Sequence, residues 1–261
     1  MLHELRLFFI ALQFLTRVPV PGWVGWRADW MNASVRHFPA VGLLVGGFGA
    51  GVFWAAAHLW PAPVAVALSM AATVWLTGAF HEDGLADTCD GLGGAVSRER
   101  ALEIMKDSRI GTYGAVGLLL MLALKAAALH ALALRDLHIA LLALPLAHAL
   151  SRTVAVALLV WLPYAGDAAH AKAKPMAMQA SPGVLLAAVG WCAAGLAVAL
   201  LLGWRERDVM VMVLAAAIAA LLMARWLRGR LGGFTGDTLG AAQQGAEVAV
   251  YLALAASLAR G

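Results

Sequence analysis

Asp83, Asp87 and Asp90 form a stripe of carboxylates directly after an apolar run, at spacings of four and seven residues. On a helix these spacings place the three side chains on one face, within about 40–60° of each other. Like charges on one face repel each other unless a cation binds there, and a hard divalent cation takes oxygen ligands of this kind. This acidic stripe therefore predicts a metal site. At a membrane surface, such a site suggests phosphoryl or nucleotidyl transfer on an amphiphilic or membrane-delivered substrate.

Four glycines flank the acidic stripe: Gly84, Gly91, Gly93 and Gly94. Glycine lets a backbone and a ligand approach each other closely, so we expect Gly91, Gly93 and Gly94 to line a substrate site. The alternative is a solvated loop whose aspartates cap helices. That alternative is weaker because three aligned carboxylates need a ligand.

Two basic residues, Lys106 and Arg109, lie in the same connection as the acidic stripe. An arginine offers a planar fork to phosphate oxygens and a lysine offers a point charge, so both residues are candidates for holding substrate phosphates. Ordinary anchoring of positive charge at a membrane surface explains them equally well.

A second cluster of glycines and polar residues precedes and enters the last apolar run. Asp237 lies in the glycine-rich stretch 232–240, and Gln243, Gln244 and Glu247 follow it. Loop chemistry accounts for the glycines alone. Asp237, however, is expected on the same membrane face as the acidic stripe, so it could complete the metal site or act as a base.

Two basic residues, Lys125 and Arg152, lie inside apolar runs, where an ionisable side chain is a functional candidate by default. We expect Arg152 to face the bundle interior and to pair with a carboxylate or a substrate phosphate. Snorkelling towards the interface explains Lys125 as well as a substrate-binding role does. His81, His130 and His148 lack metal-ligand spacing and are interpreted as hydrogen-bonded polar residues.

These residues must be positioned by membrane helices. The chain has 261 residues, of which 62% are hydrophobic and 13% are charged, so it predicts a polytopic all-α membrane protein folded as one domain over 1–261. An interfacial helix is expected in the N-terminal segment 1–37, because no cleavage site of a signal peptide follows its short apolar run. About seven spans are expected, the last one short, near 38–60, 64–80, 111–134, 138–162, 183–203, 209–227 and 245–259.

The distribution of Lys and Arg predicts an orientation. With the N-terminus in the cytoplasm, twelve of these residues lie on the cytoplasmic side and four lie outside, in agreement with the positive-inside rule. The connection 81–110 then becomes a cytoplasmic acidic catalytic loop, and 1–37, 163–182 and 228–244 lie on the same side. The net charge of +4 is spread through the loops, so no nucleic-acid partner is expected, whereas a lipid bilayer is. A homo-oligomer is left open.

The chain resembles the cobalamin synthase family, the adenosylcobinamide-GDP ribazoletransferases, nearly from end to end. The resemblance is interrupted over 166–174, where an arginine and a Gly-Leu-Gly segment are missing. The matching stretches are Phe14–Pro21, His37–Gly42, His81–Gly94, Glu103–Gly114, Leu150–Arg152 and Gly233–Ala241.

The resemblance implies a multi-pass enzyme of the bacterial cytoplasmic (inner) membrane, with an active site that faces the cytoplasm. Its substrates would be adenosylcobinamide-GDP and α-ribazole or α-ribazole 5′-phosphate, and its products adenosylcobalamin or its 5′-phosphate and GMP. Mg²⁺ on Asp83, Asp87 and Asp90 would bridge the diphosphate. Asp237 or Glu82 would take the proton of the attacking hydroxyl, with Asp90 as a further catalytic carboxylate.

Two other functions remain as alternatives. A CDP-alcohol phosphotransferase of phospholipid synthesis would use the same aspartate and metal chemistry, but that family has an arginine after the alanine of its motif, where this chain has Asp87 after Ala86. A transporter would place Arg152 and Lys125 along a path through the membrane.

Overall fold

The computed structural model describes residues 2–166 and 177–259, and over these ranges the fold is helical apart from one isolated bridge between Tyr164 and Phe234. The polytopic all-α architecture is thus confirmed. Lys172, Lys174, Arg260 and most of the interrupted stretch 166–174 lie outside the described residues. In chain order the helices are α1 Leu2–Leu15, α2 Ala28–Ser34, α3 Phe38–Ala57, α4 Ala62–Thr77, α5 Phe80–Leu92, α6 Arg98–Ile104, α7 Thr112–Arg135, α8 Leu137–Trp161, α9 Pro182–Leu201, α10 Glu206–Leu231 and α11 Gly236–Ala259.

Among the described residues, five helices are long and apolar enough to cross a membrane, and the bent pair α4–α5 makes a sixth if it counts as one span. The sequence predicts about seven. The difference lies in the last run, 245–259, which belongs to α11, a helix of 24 residues. Its first half carries Asp237, Gln243, Gln244 and Glu247, so its composition is too polar to resemble a lipid-facing span. Most of α11 is instead buried against α5, α7, α8 and α10.

The centre of the bundle is formed by α8, whose side chains are buried along most of its length. It crosses α3 at very short range, and glycines make this possible. A Cβ atom at Gly42 would lie 2.4 Å from the carbonyl oxygen of His148, and one at Gly46 would lie 2.5 Å from the Cα of Pro145. This close crossing holds the middle of α8, and therefore Arg152, in the interior.

A sharp corner separates α4 from α5. Gly78 and Ala79 both take left-handed backbone conformations, with φ of 69° and 59°, and α5 leaves the end of α4 at 89°. The direction of α4 is therefore not continued by α5, which packs instead against α7 and the start of α11. The connection 81–110, predicted to be a catalytic loop, is mainly the two helices α5 and α6. The helix that the spacing of the acidic stripe predicts is α5.

The N-terminal helix predicted from the sequence is α1, which packs on α2 and α3 and buries Leu7, Ile10 and Leu15. The segment after it reaches the α4–α5 corner, where the backbone N–H of Arg17 donates to the carbonyl of Leu76 at 2.8 Å.

The four long connections meet at one end of the bundle, as the arrangement of the spans predicts. Hydrogen bonds join several of them: Arg98 to Ala165 and Leu231, Met178 to Asn32, and Phe234 to Pro163. The opposite end is tied separately, since Arg135 and Arg207 donate to the carbonyls of Leu258 and Ser257 near the end of α11. The acidic stripe lies at the first of these two ends.

Candidate active site

The helix that carries the acidic stripe lies directly on the start of α11. A Cβ atom at Gly84 would lie 2.7 Å from the carbonyl oxygen of Asp237, and one at Gly240 would lie 3.2 Å from the carbonyl oxygen of His81. Glycine is required at Gly84, where a side chain would meet the backbone of α11, and the fit at Gly240 is tight. The two acidic clusters of the sequence are therefore neighbours in space.

The negative charges around Asp87 change the pKa of its carboxyl. Burial first, and then the carboxylates of Asp237, Asp83 and Asp90 in that order, together raise the pKa of its carboxyl to about 7. Asp83 is exposed, whereas Asp87, Asp90 and Asp237 are half-buried. At neutral pH, part of the Asp87 population therefore holds a proton that a bound cation would displace.

Asp90 has a structural partner that the sequence argument does not predict. Its two carboxylate oxygens accept the backbone N–H groups of Gly111 at 2.7 Å and of Gly114 at 2.8 Å, at the start of α7. An aspartate in this position satisfies two of the unpaired N–H groups of a helix and complements its dipole. Each oxygen of Asp90 thus accepts one bond from the start of α7 and keeps a further lone pair, so Asp90 joins the acidic stripe to α7.

The donor chemistry of these carboxylates fits Mg²⁺, which binds through one or two carboxylates together with waters and substrate phosphates. In the part of the chain that the structure describes, however, no three His, Cys, Asp or Glu side chains are grouped closely enough to hold a metal on their own. A cation at these carboxylates would therefore need further ligands from solvent or from a bound molecule.

The two basic residues of this connection lie between α6 and α7, and both are exposed. Arg109 forms a two-pronged pair with Asp107, with its Nε 2.9 Å and its Nη2 2.6 Å from the two carboxylate oxygens. Hydrogen bonds from Arg109 lower the pKa of the Asp107 carboxyl to about 2. The guanidinium is therefore held near the start of α7, while Lys106 lies at the end of α6.

The three glycines after the stripe meet protein atoms. A Cβ atom at Gly91 would lie 2.7 Å from the Met105 side chain, and one at Gly93 would lie 2.7 Å from the Tyr113 ring. The carbonyl of Gly94 accepts a hydrogen bond of 2.8 Å from Arg230. Close packing of α5 against α6 and α7 accounts for the first two glycines.

Glu82 and Lys125 do not lie with the acidic stripe but in the interior of the bundle. Glu82 accepts a hydrogen bond of 2.9 Å from Gln244, whose own oxygen accepts one of 2.7 Å from Lys125. Lys125 also forms an ion pair of 3.1 Å with Glu247, which is 1% exposed. The ammonium group of Lys125 thus faces buried partners and does not extend to the interface.

Arg152 is also interior, with only 1% of its surface exposed. Its Nη1 donates to the carbonyl of His148 at 3.0 Å and lies 3.1 Å from that residue's Nδ1, whereas its Nε has no partner. His148 in turn lies 3.4 Å from Glu247. The second oxygen of Glu82 is likewise unpartnered. Arg152 faces the interior as the sequence predicts, with histidine as its direct contact.

The buried polar network contains more residues than the sequence predicts. Ser151 and Tyr251 belong to it, because Gln243 donates to the Ser151 hydroxyl at 3.0 Å and the Tyr251 hydroxyl lies 3.3 Å from Glu247. A signal exists in the sequence, since Gln243, Glu247 and Tyr251 recur every four residues and therefore share one face of α11.

Known proteins share this chain's sequence over nearly its whole length. A profile of the cobalamin-5-phosphate synthase family matches residues 7–255. An adenosylcobinamide-GDP ribazoletransferase of Leptothrix cholodnii is 63% identical over 97% of this chain and 96% of its own. Proteins of the same name from Polaromonas naphthalenivorans and Shewanella amazonensis are 44% and 46% identical, over 99% and 97% of this chain and 100% and 95% of their own. No solved structure matches the chain.

Proposed function

The chain belongs to the cobalamin-5-phosphate synthase family, and from this premise we propose that it is an adenosylcobinamide-GDP ribazoletransferase. The substrates are adenosylcobinamide-GDP and α-ribazole or its 5′-phosphate. The ribose 3′-hydroxyl attacks the phosphorus next to cobinamide, the bond between the two phosphates breaks, and GMP leaves with the bridging oxygen. The product is adenosylcobalamin or its 5′-phosphate.

The observation that carries this proposal is the meeting of α5 and α11, which places Asp237 beside Asp87 at the end of the bundle where the long connections gather. The two carboxylates are half-buried there, and Asp83 beside them is exposed. This arrangement suits the joining of an amphiphilic corrinoid to a nucleoside.

Asp83, Asp87 and Asp90 are the residues that would hold Mg²⁺, with Asp90 also bonded to the start of α7, while Asp237 is kept for the hydroxyl proton. Mg²⁺ bound there would neutralise negative charge on the diphosphate and on the departing GMP. Lys106 and Arg109 are assigned to the outer phosphate oxygens, because both are exposed beside the start of α7.

Asp237 is the preferred acceptor of the hydroxyl proton. A base must reach the proton that it removes, and Asp237 lies half-buried beside the stripe, whereas Glu82 faces the interior and is bonded to Gln244. Lys125 and Arg152 are assigned a positioning role through the buried network, in place of direct contact with substrate. The site is proposed to face the cytoplasm, on the basis of the twelve-to-four distribution of basic residues.

The test is to incubate the purified full chain in lipid with labelled adenosylcobinamide-GDP and α-ribazole, with and without Mg²⁺. We expect equal amounts of GMP and of the joined corrinoid product, and only in the presence of the metal. A phospholipid product from a CDP-activated substrate, or corrinoid uptake into vesicles without GMP release, would instead support the two alternative functions.

A further inference from the structure

A basic groove lies on the outer surface of α10, separate from the acidic stripe. Its volume is about 970 Å³, and it runs along the last three turns of α10 beside the end of α8. The residues that matter for its chemistry are Arg225, Arg228, Arg230, Trp161 and Trp226. Three guanidinium groups and two indoles thus surround one open space at the end of the bundle that holds the site.

Arg225 is the unusual member of this groove. It is exposed on a helix that is long and apolar enough to span the membrane, about 9 Å by helical rise from the end of α10 at Leu231. Within the described residues it makes no hydrogen bond or ion pair. An arginine this near the end of a span can extend its guanidinium to the head-group layer, where an acidic head group would be its counter-ion.

Arg228 and Arg230 also line the groove. Arg228 donates to the carbonyl of Trp161 at 3.2 Å, and Arg230 donates to the carbonyl of Gly94 at 2.8 Å. Carbonyl groups carry no net charge, so both guanidinium groups keep their positive charge and their remaining donors. The charge of the groove is therefore not neutralised by the residues that bind these side chains.

The floor of the groove is apolar, and a second groove adjoins it. Leu221 and Ala224 lie beneath the arginines, while a channel of about 550 Å³ between α10 and α11 is lined almost wholly by apolar side chains such as Ile218 and Leu222. Trp226 borders both spaces. Tryptophan is favoured where a helix passes from hydrocarbon into the head-group layer.

We propose that this groove binds an anionic phospholipid, with the lipid phosphate against Arg225 and Arg228 and an acyl chain in the apolar channel beyond Trp226. Basic pockets at the ends of membrane helices bind acidic head groups in this way. A phosphate ester supplies the charge that Arg225 lacks within the protein, and only a lipid also fills an apolar channel.

The experiment is native mass spectrometry of the detergent-solubilised full chain, titrated with phosphatidylglycerol or with phosphatidylcholine. We expect phosphatidylglycerol to bind at least tenfold more tightly. Arg225→Gln should weaken its binding about fivefold, the ratio that corresponds to the usual contribution of one basic residue near an acidic membrane. Arg225→Lys should keep the affinity within about twofold. The matched control is Arg205→Gln, an exposed arginine at the opposite end of α10, which should change nothing.

Three results would overturn the proposal: equal affinity for the two lipids, unchanged phosphatidylglycerol binding in both Arg225→Gln and Arg228→Gln, or displacement of the lipid by inorganic phosphate at a similar concentration. The last result would mark a site for free phosphate. None of these measurements depends on enzymatic activity, so they stand apart from the test of the proposed function.

Discussion

At the scale of single residues, Asp90 differs from Asp83 and Asp87 because its carboxylate also accepts hydrogen bonds from the start of α7. Asp83→Asn and Asp87→Asn should each remove a proposed metal ligand and leave the bond between Asp90 and the start of α7 in place. We expect turnover to fall by two or more orders of magnitude, roughly the loss of one key electrostatic stabiliser, with more Mg²⁺ needed for any activity that remains. Glu103→Gln on the exposed face of α6 is the matched control. Near-normal turnover of Asp87→Asn at the original Mg²⁺ concentration would show that the stripe is not the metal site.

Asp90→Asn should have a second effect. Its carboxylate accepts two backbone N–H groups of α7, and the amide nitrogen of Asn cannot accept one of them, so one bond of about 1 kcal/mol is lost. Thermal unfolding of the metal-free protein should therefore show a lower midpoint for Asp90→Asn than for Asp87→Asn. If the two variants unfold at the same temperature, the bond between Asp90 and the start of α7 is not present in the membrane-bound protein.

The raised pKa of Asp87 also predicts a pH dependence. Its carboxyl has a pKa of 3.8 in the unfolded chain and about 7 in the folded protein. The folded state therefore keeps a proton that the unfolded state has lost, and the stability gained from Asp87 declines as pH rises from about 4 to about 7. Mg²⁺ competes with the same proton. We expect the Mg²⁺ concentration for half-maximal activity to fall about tenfold between pH 6 and pH 8, and this change should vanish in Asp87→Asn.

At the scale of helices, the buried pair of Lys125 and Glu247 joins α7 to α11. Removing one member leaves the other charge buried and unpaired, which typically costs 3–5 kcal/mol. Lys125→Met and Glu247→Gln should each lower the denaturant midpoint strongly, whereas the double variant should lose less than the sum of the two. Additive losses would mean that the two side chains act independently. Far-ultraviolet circular dichroism would check that each variant keeps its helices.

The same helices explain which features of the site are predictable from the sequence. Spacing alone places Asp83, Asp87 and Asp90 on one helical face, and the four connections on one side follow from the number of spans. Glu82 is different, because it lies about 100° around α5 from Asp83 and so faces Gln244. Its inward direction depends on where α11 packs. The right-angled corner is also unpredictable, since Ala79 takes a left-handed conformation that its residue type does not favour.

At the scale of the whole molecule, the gathering of the long connections at one end predicts a topology that can be measured. Reporter fusions after Ala62, in the hairpin between α3 and α4, and after Arg98, in α6, should report opposite sides of the membrane. The fusion after Arg98 should report the cytoplasm, because the basic residues concentrate at that end. If both fusions report the same side, α4 does not cross the membrane and the account of the α4–α5 corner is wrong.

The polarity of α11 has a consequence for how the protein is made. A helix with Asp237, two glutamines and Glu247 is a poor candidate for release into lipid by itself, since each central carboxylate costs about 2.5–3.5 kcal/mol on insertion scales. It is also synthesised after the other described helices. By then α7 and α8 are present, and they offer Lys125, Ser151 and His148 to the incoming polar face. The membrane thus admits α11 through neighbours that precede it in the chain, and the place where α5 meets α11 forms only after α11 has been made.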